Sequence, residues 1–181
     1  MRSALLVLDV QKDFLGEHAL LPVAANQQEP LIANINQCIE KATQENLPVV
    51  YIGNEFEKTQ FLSNWFRNHA ALKGSPGTEL DDRIYRVEGD YFPKNRGDAF
   101  TNPELLSFLK SKQISHLFII GVFAEGCVTD TAKGALRRSF KVTVLSDAVA
   151  GANDSKRDKA LQKLFACGVS VRKSMAEAQV K

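Results

Sequence analysis

The sequence has few cysteines and no arrangement of them that indicates pairing or zinc binding. Only three occur in 181 residues, at the irregular positions Cys38, Cys127 and Cys167. An odd number at irregular spacing argues against a disulfide framework, and without a C-x-x-C pair no zinc site is indicated. Stability must therefore come from a hydrophobic core, which 44% hydrophobic residues are enough to build.

Long apolar runs and an excess of charge of one sign are also missing. The longest apolar stretches, 4–8 and 117–122, have the length of strands and fall far below the ~20 residues that span a bilayer. The short apolar segment after Met1 lacks the features of a secretory signal, so we expect a cytoplasmic protein. The 23 Lys and Arg nearly balance the 21 Asp and Glu, which disfavours nucleic acid and anionic membranes as partners.

Short β-branched apolar runs alternate with longer stretches of helical periodicity, as is typical of βαβ units. We predict a single-domain, doubly wound, Rossmann-like α/β fold with a six-stranded parallel sheet flanked by helices. Strands are expected at 3–10, 48–52, 83–87, 116–122, 141–146 and 169–172. Helices are expected at 30–44, within 61–72, after an N-cap at Asn102, at 127–140, and from Asn153 to about 168. With strand order 3-2-1-4-5-6, ligands would bind beyond the carboxyl ends of the neighbouring strands one and four.

Asp9 closes the first predicted strand, at the end of an otherwise apolar run. Burial of a carboxylate at that position is costly without a partner. Two roles remain open from position alone: a structural cap or ion pair, and a functional group at a ligand site.

Cys127 stands where the fourth predicted strand passes through a glycine-bearing turn into a helix. At a helix N-terminus the free amides and the positive end of the dipole favour thiolate and can face an oxyanion. We therefore consider Cys127 a candidate nucleophile, although most lone cysteines are inert core residues. Cys38 and Cys167 lie on predicted amphipathic helices and are assigned that inert role.

Lys94 follows the third predicted strand, between aromatic and turn residues. Taken alone it would be a solvated lysine. Held between Asp9 and Cys127, it would favour both anions, and the carboxylate could then move the thiol proton and activate water. Spacing does not show whether the three side chains meet.

Three motifs that contain these residues occur together and in order. They are Asp9-Val10-Gln11-Lys12-Asp13-Phe14 (D-x-Q-x-D-F), Lys94 to Ala99-Phe100 (K-x-x-x-[SD]-A-F), and Gly121 to Cys127-Val128 and Thr131-Ala132 (G-x-x-x-x-x-C-V-x-x-T-A). In this combination the chain resembles the isochorismatase-like cysteine hydrolases, a family that includes nicotinamidases and other small-amide hydrolases. The resemblance covers nearly the whole chain and implies one isochorismatase-like hydrolase domain at 1–181.

The resemblance implies a catalytic triad of Asp9, Lys94 and Cys127, in which Cys127 attacks a carbonyl-type carbon and forms an acyl-enzyme. It also implies an oxyanion hole made by the amides of Phe123 and Cys127, after a cis Val122–Phe123 peptide. Relatives are often dimers or tetramers, so a homodimer or homotetramer is expected.

One departure from the nicotinamidases concerns their metal. In those enzymes the second strand leads into an Asp-x-His pair that binds a metal, together with further histidines, whereas this chain has Asn54-Glu55-Phe56 there. The three histidines do not supply the spacing. We therefore expect neither a catalytic metal nor another cofactor, and nicotinamide becomes a less favoured substrate.

The substrate is expected to be a small molecule with an amide, ureido or carbamoyl C–N bond, which suits thiol chemistry best. Phe14, Trp65, Phe92 and Phe123 are candidate pocket residues, with ordinary core packing as the alternative. Isochorismatase-type hydrolysis of a vinyl ether is the enzymatic alternative. A non-catalytic metabolite-binding protein on a Rossmann-like scaffold is also open, although G-x-G-x-x-G and P-loop sequences are missing.

Overall fold

Six strands form a single parallel sheet in the computed structural model, which describes residues 2–175. They are β1 (Arg2–Leu8), β2 (Val49–Asn54), β3 (Asp90–Lys94), β4 (Ile114–Val122), β5 (Lys141–Ala150) and β6 (Ser170–Arg172). Their order across the sheet is β3-β2-β1-β4-β5-β6 and every pairing is parallel, which confirms the predicted topology. The outer residues of the domain predicted at 1–181, Met1 and 176–181, lie outside the described part.

Helices cover both faces of the sheet. They are α1 (Lys12–Leu15), α2 (Ala25–Gln44), α3 (Phe61–Phe66), α4 (Pro103–Ser111), α5 (Thr129–Arg137) and α6 (Asp154–Ala166). Leu5 and Val7 of β1 belong to the core beneath α2, and Leu6 and Leu8 to the core beneath α4 and α5. A central strand buried on both faces carries apolar residues at consecutive positions, which is why β1 lacks an alternating pattern.

Two helix starts are set by side chains that the sequence identifies. Asn102 accepts a hydrogen bond from the Glu104 amide, and Pro103 occupies the first helical position of α4, as predicted. Asn153 accepts from the Lys156 amide and begins α6 in the same way. α2 begins five residues before the predicted start, so Pro30 lies inside it rather than in its first turn.

The third strand was predicted in the wrong place, at 83–87. That segment is held by side chains instead of a strand ladder: Tyr51 Oη donates to the Tyr85 carbonyl and accepts from the Val87 amide. The strand is instead β3, which contains Pro93. Because β3 is an edge strand, a residue without an N–H group can be accommodated there.

No helix within residues 2–175 is long and apolar enough to cross a membrane. All three cysteines are free. Cys38 is buried in the core as predicted, but Cys167 is exposed just after the end of α6, so its assignment to the core was wrong.

Candidate active site

Asp9, Lys94 and Cys127 meet at the carboxyl edge of the sheet. Lys94 Nζ lies 2.9 Å from Asp9 Oδ2 and 3.2 Å from Cys127 Sγ. Asp9 follows β1, Lys94 is the last residue of β3, and Cys127 lies in the turn after β4. Asp9 and Lys94 are almost completely buried, at 1% and 4% exposure, so each charge depends on the other for its stability.

A fourth polar side chain, Asn54, completes this cluster. Its Oδ1 accepts a hydrogen bond of 2.6 Å from Lys94 Nζ, and its Nδ2 lies 3.6 Å from Cys127 Sγ. Gln11 fixes the Asn54 backbone, because its Oε1 accepts from the Asn54 amide and its Nε2 donates to the Asn54 carbonyl. Asn54 was not among the site residues predicted from the sequence. The available signal was a polar residue ending the buried strand β2, at the same sheet edge as Asp9.

Burial and neighbouring charge set the protonation of the cluster. Burial raises the pKa of the Cys127 thiol to about 12, with the Asp9 charge adding to the rise and Lys94 opposing it. Burial also raises the pKa of Asp9, against the attraction of Lys94. Burial alone would lower the pKa of Lys94, but the charge of Asp9 and the hydrogen bonds to Asp9 and Cys127 oppose burial, and the pKa is raised.

Burial therefore favours the neutral thiol at rest, beside the ion pair that Lys94 forms with Asp9. This corrects the expectation that a helix N-terminus favours the thiolate. The helix predicted at 127–140 instead begins at Thr129, and Cys127 lies before it in the irregular turn Ala124–Val128. At that position burial of the thiol dominates its ionisation.

The turn that carries Cys127 begins at a cis peptide between Val122 and Phe123. The Phe123 carbonyl accepts hydrogen bonds from the amides of Gly126 and Val128, at 3.0 and 3.2 Å. Gly126 has backbone angles of −118° and −110°, outside the helical region. The turn thus brings the amides of Phe123 and Cys127 into one compact segment beside the thiol.

A pocket with a volume of about 350 Å³ opens beside Cys127. Two of the four predicted pocket aromatics line it, Phe14 and Phe123, whose rings make an edge-to-face contact at 5.6 Å. The pocket also contains residues without a predicted role: Leu21, Pro22, Asn54, Phe56, Arg67, Gly97, Glu125, Gly126, Asp130 and Ala152. Its volume is at the small end of the range for ligand sites, which suits a small substrate.

The other two predicted pocket aromatics, Phe92 and Trp65, lie elsewhere. Phe92 is buried in the core and contacts Phe108 of α4, with ring centroids 5.5 Å apart. Trp65 is 67% exposed on α3. Both assignments were wrong in this structure, because an aromatic residue near the site in sequence can face the core or the solvent.

The position where nicotinamidases would carry a metal site, after β2, does not suit a metal here. The side-chain amide of Asn54 contacts Lys94 and Cys127, and Phe56 packs under the guanidinium of Arg67. Between Arg2 and Met175 there is no group of three or more His, Cys, Asp or Glu that could hold a metal ion.

Comparisons with known proteins agree with this architecture. The isochorismatase domain family matches residues 3–175. A protein named "probable inactive nicotinamidase" from Arabidopsis thaliana is 32% identical over 161 residues, covering 83% of this chain and 81% of the relative. The ureidoacrylate amidohydrolase RutB of Serratia proteamaculans is 26% identical over 170 residues, covering 81% of this chain and 68% of the relative.

Similarity extends to solved structures. The crystal structure of N-carbamoylsarcosine amidase from Thermoplasma acidophilum matches with a TM-score of 0.82 and 26% identity, covering 97% of this chain and 98% of the other. The family match over almost the full length, the parallel sheet and the shared fold lead to one conclusion. This chain belongs to the isochorismatase family of hydrolases.

Proposed function

We propose that this chain is a cysteine hydrolase that cleaves the C–N bond of a small amide, ureido or carbamoyl compound. The observation that carries the proposal is the contact of Lys94 with both Asp9 and Cys127 beside a small pocket. Relatives named for amide and ureido hydrolysis support this class of reaction.

The first half of the reaction forms an acyl-enzyme on Cys127, which is a thioester for an amide substrate and a thiocarbamate for a ureido or carbamoyl substrate that loses ammonia. Asp9 accepts the thiol proton of Cys127 as Sγ attacks the carbonyl carbon, and its Oδ1 accepts no other hydrogen bond within residues 2–175. The protonated carboxyl then gives this proton to the leaving nitrogen, so the C–N bond breaks and ammonia or an amine departs. The raised pKa of Asp9 suits a group that must hold the proton between these two events.

The second half releases the acid product. Asp9, again a carboxylate, accepts a proton from water as the water oxygen attacks the acyl carbon. Sγ leaves and takes the proton back from Asp9, which restores the neutral thiol. Lys94 stays protonated throughout and stabilises the negative charge on either partner.

The negative charge that develops on the carbonyl oxygen needs a donor site. We assign this role to the amides of Phe123 and Cys127, which share the turn after β4. One such donor is worth about 10² to 10³ in rate in enzymes that use this device.

The test is to incubate the protein with a panel that includes N-carbamoylsarcosine, ureidoacrylate and simple primary amides. Hydrolysis is measured as ammonia release. Wild type should release ammonia, and Cys127→Ser and Asp9→Asn should each reduce the rate by at least about 10² while the circular dichroism spectrum is unchanged. Cys167→Ser, which alters the exposed cysteine, is the matched control and should retain full activity.

Three outcomes would contradict the proposal. If wild type hydrolyses nothing in the panel yet binds its members, the chain is a non-catalytic binding protein, as the word "inactive" in one relative's name would suggest. If Cys127→Ser retains full turnover, thiol catalysis is excluded. Hydrolysis of a vinyl ether but of no amide would favour the isochorismatase-type reaction.

We also propose that the chain forms a homo-oligomer. α3 presents four apolar side chains, Phe61, Leu62, Trp65 and Phe66, each at least 67% exposed. Contiguous exposed apolar surface of this kind marks interaction sites. Sedimentation velocity should show a dimer or tetramer, and a monomer at all concentrations would refute this proposal.

A further inference from the structure

Arg67 lies beside the proposed reaction centre but has no role in the proposed reaction steps. It follows the last turn of α3 and lines the pocket together with Cys127. Its guanidinium carbon lies 3.7 Å from the centroid of the Phe56 ring, and Phe56 is itself buried in the core. Stacking on a fixed ring restrains the guanidinium, so its position is determined before any ligand binds.

This guanidinium has no acceptor in the described chain. No hydrogen bond or ion pair joins the Arg67 side chain to another residue between Arg2 and Met175, and its Nη1 is buried without a partner. Burial lowers the pKa of Arg67, and only a thiolate at Cys127 would oppose this effect. An arginine has five donors and remains charged in proteins, and the buried Nη1 donor is costly to leave without an acceptor.

The other arginines with side-chain contacts differ in this respect. Arg83 pairs with Asp81 and Glu29, and Arg138 lies over the Phe100 ring while donating to the Gly134 carbonyl. Stacking alone therefore does not explain why Arg67 has no oxygen partner.

The remaining charges of the pocket do not neutralise Arg67. Arg67 is the only cationic side chain among the described residues that line it, and Lys94 is occupied by Asp9 and Asn54. Glu125 and Asp130 also line the pocket, but neither lies within 4 Å of a guanidinium nitrogen of Arg67. Glu125 accepts from the Ala152 amide through Oε1, its Oε2 is buried without a partner within residues 2–175, and Asp130 lies against Gly97.

We propose that Arg67 binds a carboxylate of the substrate, so that the preferred substrates are small N-carbamoyl or ureido acids rather than neutral amides. A carboxylate offers two oxygens in the geometry that a guanidinium matches, and such charge-assisted pairs are the strong ones. This specificity rests on the proposed function only in assuming that the C–N bond lies over Cys127. Recognition of the carboxylate itself does not require turnover.

Binding to a Cys127→Ala protein, which cannot form the acyl-enzyme, tests this specificity by calorimetry. The probes are N-carbamoylglycine and N-carbamoyl-β-alanine, each compared with the neutral amide of its own carboxyl group. We expect at least one acid to bind at least about tenfold more tightly than its amide, because only the acid satisfies Arg67. Adding Arg67→Gln should remove that preference.

Two further variants separate a specific contact from a general loss of charge or of folding. Arg138→Gln removes a stacked guanidinium outside the pocket and should keep the preference. Arg67→Lys retains the charge without the planar pair of donors and should keep only part of it. Thermal unfolding of every variant checks that the fold is retained, and the acid-to-amide ratio of the Cys127→Ala protein remains decisive if Arg67→Gln does not fold.

Equal binding of acid and amide, no binding of either acid, or a preference that survives Arg67→Gln would each overturn the inference. Failure of the proposed function looks different. In that case no C–N bond is hydrolysed by wild type, whereas the dependence of acid binding on Arg67 is still measurable.

Discussion

At the scale of single residues, the cluster pairs a buried thiol with an ion pair that is itself buried. Cys127 is neutral at rest because burial raises its pKa to about 12, and Lys94 is the neighbour that opposes this rise. Asp9 acts in the other direction, since its negative charge also raises the thiol pKa. In the proposed mechanism, nucleophilicity at Cys127 depends on transfer of its proton to Asp9 during attack, with Lys94 limiting the cost of the new charge.

Removing Lys94 should make the thiol harder to ionise. For Lys94→Ala we expect the pKa of Cys127 to rise further, because a cation 3.2 Å away is lost. Below that pKa the thiolate fraction falls about tenfold per unit, so iodoacetamide should label Cys127 more slowly at every pH. Peptide mass spectrometry against pH measures this rate.

Two controls accompany this labelling experiment. Exposed Cys167 should be labelled at the same rate in wild type and variant. Lys12→Ala removes a lysine that pairs with Glu79 at the surface and should leave Cys127 labelling unchanged. Identical pH profiles for wild type and Lys94→Ala would remove Lys94 from the site.

Residue identity predicted the convergence of Asp9, Lys94 and Cys127 better than it predicted their surroundings. Asp9, Lys94 and Cys127 belong to motifs with fixed residue types, so their positions in the chain were informative. Asn54 and Arg67 belong to no such motif. Asn54 was missed because its contact with Lys94 exists only in the folded chain, and Arg67 because only the fold shows that its Nη1 is buried without a partner. For Phe92 and Trp65, residue type could not decide between core, pocket and solvent.

At the scale of elements, the close approach of β1 and β4 holds the site together. Gly121 of β4 pairs with Leu8, the last residue of β1 before Asp9. Its φ is +115°, and a side chain at this position would place its Cβ against the Leu8 carbonyl oxygen, well inside contact distance. Glycine is thus required both by the backbone angle and by the neighbouring strand.

Gly121→Ala should therefore destabilise the protein more than another substitution at positive φ. Gly74 has a φ of +80°, but a Cβ at Gly74 would meet no atom within 4 Å, so Gly74→Ala should cost only about 1 to 2 kcal/mol for the backbone angle. The clash with Leu8 should add roughly 1 to 3 kcal/mol in Gly121→Ala. Urea denaturation gives both values, and equal destabilisation of the two variants would contradict the role assigned to this contact.

The residues at the end of β2 lead to a prediction about metal dependence. Asn54 and Phe56 are engaged with Lys94 and Arg67 and do not offer the charged or imidazole ligands that such a site needs. Treatment with EDTA should therefore leave the rate of ammonia release unchanged. Loss of activity with EDTA and its recovery with zinc, iron or manganese would show that this interpretation is wrong.

Element types were easier to predict than element boundaries. Hydrophobic periodicity located β1, β4 and α4, which bury continuous or regular apolar faces. It failed for β3, because an edge strand needs little apolar surface and tolerates Pro93. It also extended the helix after β4 back to Cys127, since an irregular turn leaves no periodic signal.

At the scale of the whole molecule, strand order decides which residues can react together. Asp9 and Cys127 are 118 positions apart in sequence, yet they follow the neighbouring strands β1 and β4, and ligands bind beyond such strand ends in open parallel sheets. β3 brings Lys94 to the same edge from the other side of β2. The central claim is that this arrangement produces a covalent intermediate on Cys127.

The most direct measurement is the intact mass of the protein, quenched with acid during the first turnovers of a hydrolysed ureido acid or amide. A covalent mechanism predicts a mass increase equal to the acyl group, located on the peptide that contains Cys127. Hydroxylamine should remove this increase, and Cys127→Ser should show none. Sustained hydrolysis without any adduct, together with full activity of Cys127→Ser, would contradict it.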